Sequence, residues 1–251
     1  MNIIIKDAAA DAADTVADIL LQQIADKPDS VLGLPTGRTP LAVYARLRAE
    51  HRNGRGNYRF ITTFNLDEYI GLSSDDPTSY AFYMRENLFA HVNVDLNRTH
   101  VPLGLAADPT AEAGRYEALI SAYGGIDLML LGLGRNAHIG FNEPGSRHDS
   151  RTRRVALTAS TVEANAPYFR PGVNPPSHAI TMGIGTILES RKIVVLATGP
   201  EKAEAVAASV NGPPSDSVPG SALVRHVDAT LVLDRTAAQR LERARTLEVE
   251  A

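Results

Sequence analysis

LGLPTGRTPL, residues 32–41, is the stretch whose reading decides the fold. An apolar run ends in Pro35-Thr36-Gly37, and Leu41-Ala42-Val43-Tyr44 resumes a helix-forming pattern behind Pro40. Proline suits an early helical position, because the N–H it lacks is one a helix leaves unpaired anyway. The stretch therefore reads as a strand, a tight turn and a helix N-terminus. Such a turn offers backbone N–H groups and the positive end of a helix to an anion. Arg38 is its odd member, a long side chain where a small one would let a ligand reach the backbone.

Outward from this unit the pattern repeats. Residues 2–5 read as a strand, 8–24 as an Ala/Leu-rich helix and 30–34 as the second strand. Residues 60–66 form a β-rich run leading into Asp67-Glu68, and 79–90 and 109–123 read as helices. Residues 126–131 (IDLMLL) are continuously apolar, as in a strand covered on both faces. Residues 191–197 (RKIVVLA) and 229–233 (ATLVL) look similar, each with a helical stretch behind it. Strands separated by helices predict an α/β fold: a doubly wound, mostly parallel, Rossmann-like sheet with helices on both faces. The Pro-rich stretches 167–176 and 212–219 read as long loops, so one domain over residues 1–251 is expected.

Composition narrows the function classes. The chain has 251 residues, 44% hydrophobic, and a net charge of −4, which argues against a nucleic-acid partner held by bulk charge. There is no cysteine, which excludes disulfides, thiolate nucleophiles and Cys-based zinc sites. The first residues have too short an apolar stretch and no basic leader for a signal segment, and no window approaches a membrane span. A cytoplasmic protein without a membrane partner is expected.

In open α/β sheets ligands bind beyond the carboxyl ends of the strands. Three polar clusters fall there: residues 36–39, Asp67-Glu68, and residues 134–143. Successive side chains on a strand point to opposite faces, so only one of Asp67 and Glu68 can face the crevice. That one is a candidate base; a solvated turn or a helix cap is the alternative for the pair. The loop GLGRNAHIGFNEPG, residues 132–145, holds Asn136, His138, Asn142 and Glu143. A carboxylate can fix the tautomer of an imidazole and raise its basicity. A lone His with no second ligand pair at helical spacing argues against a metal site, and no metal is expected. Lys202 follows the strand at 191–197 and should fall in the first turn of the next helix, where a cation opposes the helix dipole. A bound anion would explain it; a head group reaching solvent is the alternative.

Together these segments resemble the glucosamine-6-phosphate deaminase family, within the wider group that includes 6-phosphogluconolactonases. The likeness runs from the first strand to about residue 240 through LGLPTGRTPLAVY, TFNLDEYIGL, SYAFYMRENLFAHV, GLGRNAHIGFNEPGS, SRTR at 150–153 and ATGPEKAEAV at 197–206. TFNLDEY followed by HIGFNEP is the specific part.

The resemblance implies an aldose–ketose isomerisation coupled to deamination, from glucosamine 6-phosphate to fructose 6-phosphate and ammonia through an enediol intermediate. By position, Asp67 matches the base that moves the C2 proton to C1. His138 matches the ring-opening acid/base oriented by Glu143, and Asn136 occupies a ring-opening position. Thr36, Gly37, Arg38, Thr39, Lys202 and Arg170 are the expected phosphate-binding set. No cofactor is expected, since the intermediate needs positioning rather than redox chemistry.

Two departures qualify the resemblance. The family's mobile lid carries a phosphate-contacting Arg in a sequence like Ala-Asn-Ser-Arg-Phe-Phe, where this chain has Ala164-Asn165-Ala166-Pro167-Tyr168-Phe169. A Pro-rich lid over about residues 158–180, with Pro171, Pro175 and Pro176, is therefore expected to be stiffer. Losing one charged hydrogen bond should cost ~1.5–3 kcal/mol. Arg38 is the natural replacement, with Arg170 as a competing donor. The second departure is Val155, which stands where activated family members have Lys; it predicts weak or no activation by N-acetylglucosamine 6-phosphate and leaves monomer or homo-oligomer open. Another amino-sugar phosphate, such as galactosamine 6-phosphate, is the alternative substrate; lactone hydrolysis is a further alternative, against which stands His138-Ile139-Gly140-Phe141-Asn142-Glu143.

Overall fold

A computed structural model describes residues 1–158, 161–163, 166–170 and 174–241. Seven strands pair in parallel: β1 (Asn2–Lys6), β2 (Val31–Leu34), β3 (Thr62–Asn65), β5 (Thr99–His100), β6 (Leu128–Gly132), β9 (Lys192–Ala197) and β10 (Ala229–Asp234). Their order is β1-β10-β9-β6-β2-β3-β5. The doubly wound sheet expected from the sequence is present.

Side-chain alternation along the central strands sorts the apolar residues into two cores. Leu128 and Leu130 of β6, Val194 and Leu196 of β9, and Leu32 and Leu34 of β2 face one layer. That layer is built on α1 (Ala9–Asp26), α2 (Leu41–Arg52) and the end of α3 (Tyr80–Asn87). Met129, Leu131, Ile193 and Val195 face the other, against α4 (Pro109–Ala122), α5 (Ile184–Leu188) and α6 (Ala203–Asn211). Helix α1 buries Ala12, Ala13, Val16, Ala17, Leu20, Leu21 and Ile24, a stripe at helical spacing. Helix α4 begins where Asp108 accepts N–H bonds from Thr110 and Ala111 and Pro109 occupies the first turn.

Four expectations need correction. A second sheet of three antiparallel strands, β4 (Asp67–Tyr69), β8 (His178–Thr181) and β7 (Arg153–Ala156), was not expected. The run at 60–66 does not carry one strand into Asp67-Glu68: β3 stops at Asn65, and the chain passes through Leu66 into this second sheet. The helix expected at 79–90 stops at Asn87 and gives way to a 3₁₀ turn, Phe89–His91. The helix expected after β10 is absent from the described residues, where 235–241 form turns; 242–251 lie outside them.

Of the expected lid, Ala166–Tyr168 is a 3₁₀ turn and residues 178–180 belong to β8. Ala164, Asn165 and Pro171 lie outside the described residues. No helix among the described residues is long and apolar enough to cross a membrane.

Candidate active site

The chain reverses direction across the sheet between β2 and β6. From β2 it steps through β3 to β5; from β6 it steps the other way through β9 to β10. Such a switch point is where open parallel sheets bind ligands. Residues 36–39 follow β2, the loop 133–143 follows β6, Asp67 comes two residues after β3, and Lys202 follows β9. Contacts tie them together. The Lys202 ammonium donates to Leu133 O at 2.7 Å. A methyl built on Gly132 would lie 4.0 Å from the Thr39 Cβ, and one on Gly140 would lie 3.3 Å from Asp67 Oδ2.

The acid pair diverges as strand geometry requires. Glu68, 2% exposed, turns to the N-terminus of α3. Its Oε1 accepts the N–H groups of Tyr69 and Tyr80, and its Oε2 that of Ala81, all at 2.9 Å. With the Ser79 hydroxyl accepting from Phe82 N–H, the first turn of α3 is satisfied. Asp67, 6% exposed, takes the opposite face against Gly140 and accepts no hydrogen bond among the described residues. Burial pushes its carboxyl up to about 8, and the charge of Glu68 adds to the effect. Burial pushes Glu68 up as well, to about 7, against the pull of its three N–H donors. Those donors and the helix end favour the ionised form of Glu68, so of the two it is Glu68 that keeps the charge.

His138 stands on Gly134, where any Cβ would overlap the imidazole. Its Nδ1 is 2.7 Å from Asn136 Oδ1, and Asn136 Nδ2 donates to Glu143 Oε2 at 2.7 Å. The Thr161 hydroxyl donates to Glu143 Oε1 at 2.6 Å. This chain of bonds assigns the tautomer. A carboxylate only accepts, so the amide nitrogen of Asn136 must face Glu143 and its oxygen must face the imidazole. Nδ1 is then the N–H, and Nε2 carries the lone pair. Glu143 Oε1 lies 3.7 Å from Nδ1, so Glu143 orients the ring through Asn136 rather than by direct contact. Burial lowers the pKa of His138, and the nearby Lys202 adds to that against the pull of Glu143. Burial likewise lowers that of Lys202.

Arg38 is exposed in the turn, beside Thr36, Gly37 and Thr39. Arg170 is not brought to them: it lines a separate cavity of about 730 Å³ with Asp76, Arg154 and His178. Val155 packs against the cluster of Tyr69, Phe141, Phe169 and Ala179. Sequence reasoning missed Thr161, which no motif marks. The helix cap weighed as the alternative for the acid pair is present, at Glu68 and on α3, while Asp67 takes the other face.

A family model described as glucosamine-6-phosphate isomerases/6-phosphogluconolactonase matches residues 5–233. The chain is 50% identical to the glucosamine-6-phosphate deaminase of Cellvibrio japonicus over 96% of its own length and 92% of the relative's. It is 51% identical to that of Rhodopirellula baltica over 92% of each. A solved structure of a monomeric glucosamine-6-phosphate deaminase superposes with a TM-score of 0.93 at 45% identity, covering 96% of this chain and all of that one. A 6-phosphogluconolactonase from Trypanosoma cruzi, at 20% identity and a TM-score of 0.75 over 96% of each chain, shares the fold. With its switch-point crevice and near-complete match, the chain belongs to the glucosamine-6-phosphate isomerase/6-phosphogluconolactonase family.

Proposed function

We propose that this chain converts glucosamine 6-phosphate and water into fructose 6-phosphate and ammonia. The observation that carries the reading is Asp67: a buried carboxylate with no hydrogen bond of its own among the described residues, set against the loop that holds a neutral, oriented His138. Two acid/base groups are what the reaction needs, because the sugar ring must open before the C2 proton is acidic beside a carbonyl. The relatives that act on this substrate align over nearly the whole chain.

His138 Nε2 takes the proton of the anomeric hydroxyl and delivers one to the ring oxygen, opening the ring. Asp67 removes the C2 proton, leaving an enediol-type intermediate with nitrogen on C2, and returns a proton to C1. Water adds to the resulting C2 imine and ammonia leaves. The raised pKa of Asp67 makes it a stronger base than an ordinary carboxylate once ionised. The turn N–H groups and Lys202 hold the phosphate, and Arg38 supplies the charge that Pro167 no longer gives. The sugar phosphate is the only partner proposed, and the cytoplasm is its compartment.

The test is ammonia release from glucosamine, galactosamine and mannosamine 6-phosphates, with Asp67→Asn as control. Release from the glucosamine epimer that is lost in the variant is the expected outcome. Release from another epimer alone would move the substrate, and lactone hydrolysis with no ammonia would overturn the reading.

A further inference from the structure

Four carbonyls in and before the turn after β2 are tied down, those of Leu34, Pro35, Gly37 and Arg38. Leu34 O accepts from the Asn65 amide at 2.8 Å, and Pro35 O from the Tyr44 hydroxyl at 2.6 Å. Gly37 O accepts from the Tyr83 hydroxyl at 2.6 Å, and Arg38 O from Leu41 N–H at 3.3 Å. The N–H groups are the reverse case: among the described residues those of Thr36, Gly37 and Thr39 donate to no protein acceptor. In a planar trans peptide the C=O and N–H point in opposite directions. Holding Pro35 O therefore aims Thr36 N–H, and holding Gly37 O fixes the Gly37–Arg38 peptide plane that sits between the Gly37 and Thr39 N–H groups. Gly37, at φ 100°, has the left-handed backbone that joins these two peptide planes.

The two tyrosines differ in where they come from. Tyr44 lies on the helix that the turn itself opens, and is fully buried. Tyr83 lies on α3, whose first N–H groups are held by Glu68 next to Asp67. Helix α3 thus runs as a strut from the acid pair to the turn. A substrate gripped at C6 and deprotonated at C2 needs those two ends at a set separation. The Asn65 bond ties the start of the turn to the strand before Asp67, and the α3 contact ties its far side, at Gly37, to the acid pair.

We propose that Tyr83 is a positioning residue for phosphate recognition: through the Gly37 carbonyl its hydroxyl fixes the turn that carries the N–H donors and registers it to the strand carrying Asp67. The inference rests on the reading that this turn holds the substrate's phosphate. Tyr83 does not touch the substrate. Its contribution is to fix the turn that carries donors already present.

Tyr83→Phe removes the hydroxyl and keeps the half-buried ring, so the fold is retained. KM for glucosamine 6-phosphate and the competitive inhibition constant of inorganic phosphate should rise together, about three- to tenfold, with kcat within about twofold, as expected for one hydrogen bond of uniform binding. Tyr44→Phe, checked by thermal unfolding, should move the phosphate inhibition constant in the same direction. An inhibition constant unchanged in Tyr83→Phe overturns the inference, including the case where kcat and thermal stability fall with it, since that marks a structural residue. If inorganic phosphate fails to compete even in the wild-type chain, the phosphate reading of the turn fails first. If it competes equally with wild type and Tyr83→Phe, only the role of Tyr83 is lost.

Discussion

The two faces of β4 each carry a buried carboxylate, in opposite circumstances. On one face Glu68 accepts three N–H groups and closes the end of a helix. On the other, Asp67 meets a glycine and accepts no hydrogen bond among the described residues. A buried carboxylate without donors is costly, because desolvation penalises its charged form and nothing compensates. The cost is tolerable where the group must be a strong base, and Glu68 adds to it by standing next door. The difference separates a structural acid from a reactive one more cleanly than burial does.

Substitutions on the two faces should therefore diverge. Asp67→Asn is expected to lower kcat by about 10³-fold, within the range for removing a positioned acid/base. It should also raise stability. A carboxyl whose folded pKa lies above its unfolded value binds its proton more tightly when folded. The folded state is then most favoured below pH about 4, and loses that advantage as pH climbs to about 8. Asn has no proton to lose, so the melting temperature of the variant should exceed wild type by a margin that grows over that window. Thermal unfolding at pH 5 and pH 8 measures it. A margin constant with pH would contradict the assigned environment of Asp67.

Asn136→Ala should cut kcat by about ten- to a hundredfold while Glu143 stays in place, since the imidazole would lose the partner that fixes its tautomer. Initial rates at saturating substrate suffice, and an unchanged kcat would show that Glu143 orients the ring directly. Glu68→Gln keeps an acceptor at the α3 terminus but removes the charge beside Asp67. The acid limb of kcat/KM, which rises as Asp67 ionises, should move to lower pH, with a stability loss of about 1–2 kcal/mol from the weakened cap.

On the phosphate side the effects are smaller. Arg38→Ala should raise KM about tenfold, the value of one charge-assisted hydrogen bond, whereas Arg170→Ala should leave KM unchanged, because Arg170 lines the cavity of Asp76 and Arg154. The opposite ranking would return the missing lid charge to Arg170. Smallest of all, N-acetylglucosamine 6-phosphate added to the assay should leave the substrate K0.5 where it was, with Val155 packed among aromatic rings.

How much of this was legible in the sequence follows from the range of the interactions. The seven-stranded sheet was largely readable because its central strands are short apolar runs between periodic helices, a signal contained in each segment. The clusters at 36–39 and 134–143 were readable for the same reason, being contiguous. The second sheet was not. Arg153–Ala156 and His178–Thr181 are four residues each, carry little alternation, and become strands only by pairing around β4. Glu68 on α3, Thr161 on Glu143 and Tyr83 on Gly37 all join residues more than ten positions apart, which spacing along one segment does not encode. The divergence of Asp67 from Glu68, by contrast, follows from strand geometry alone.

The most direct test of Asp67 as the proton-transferring base is solvent exchange in the reverse direction. Fructose 6-phosphate is incubated with ammonium and the protein in D₂O, and recovered ketose is examined for deuterium at C1. The wild-type chain should place deuterium there, and Asp67→Asn should not. Exchange at the wild-type rate in Asp67→Asn would contradict the account.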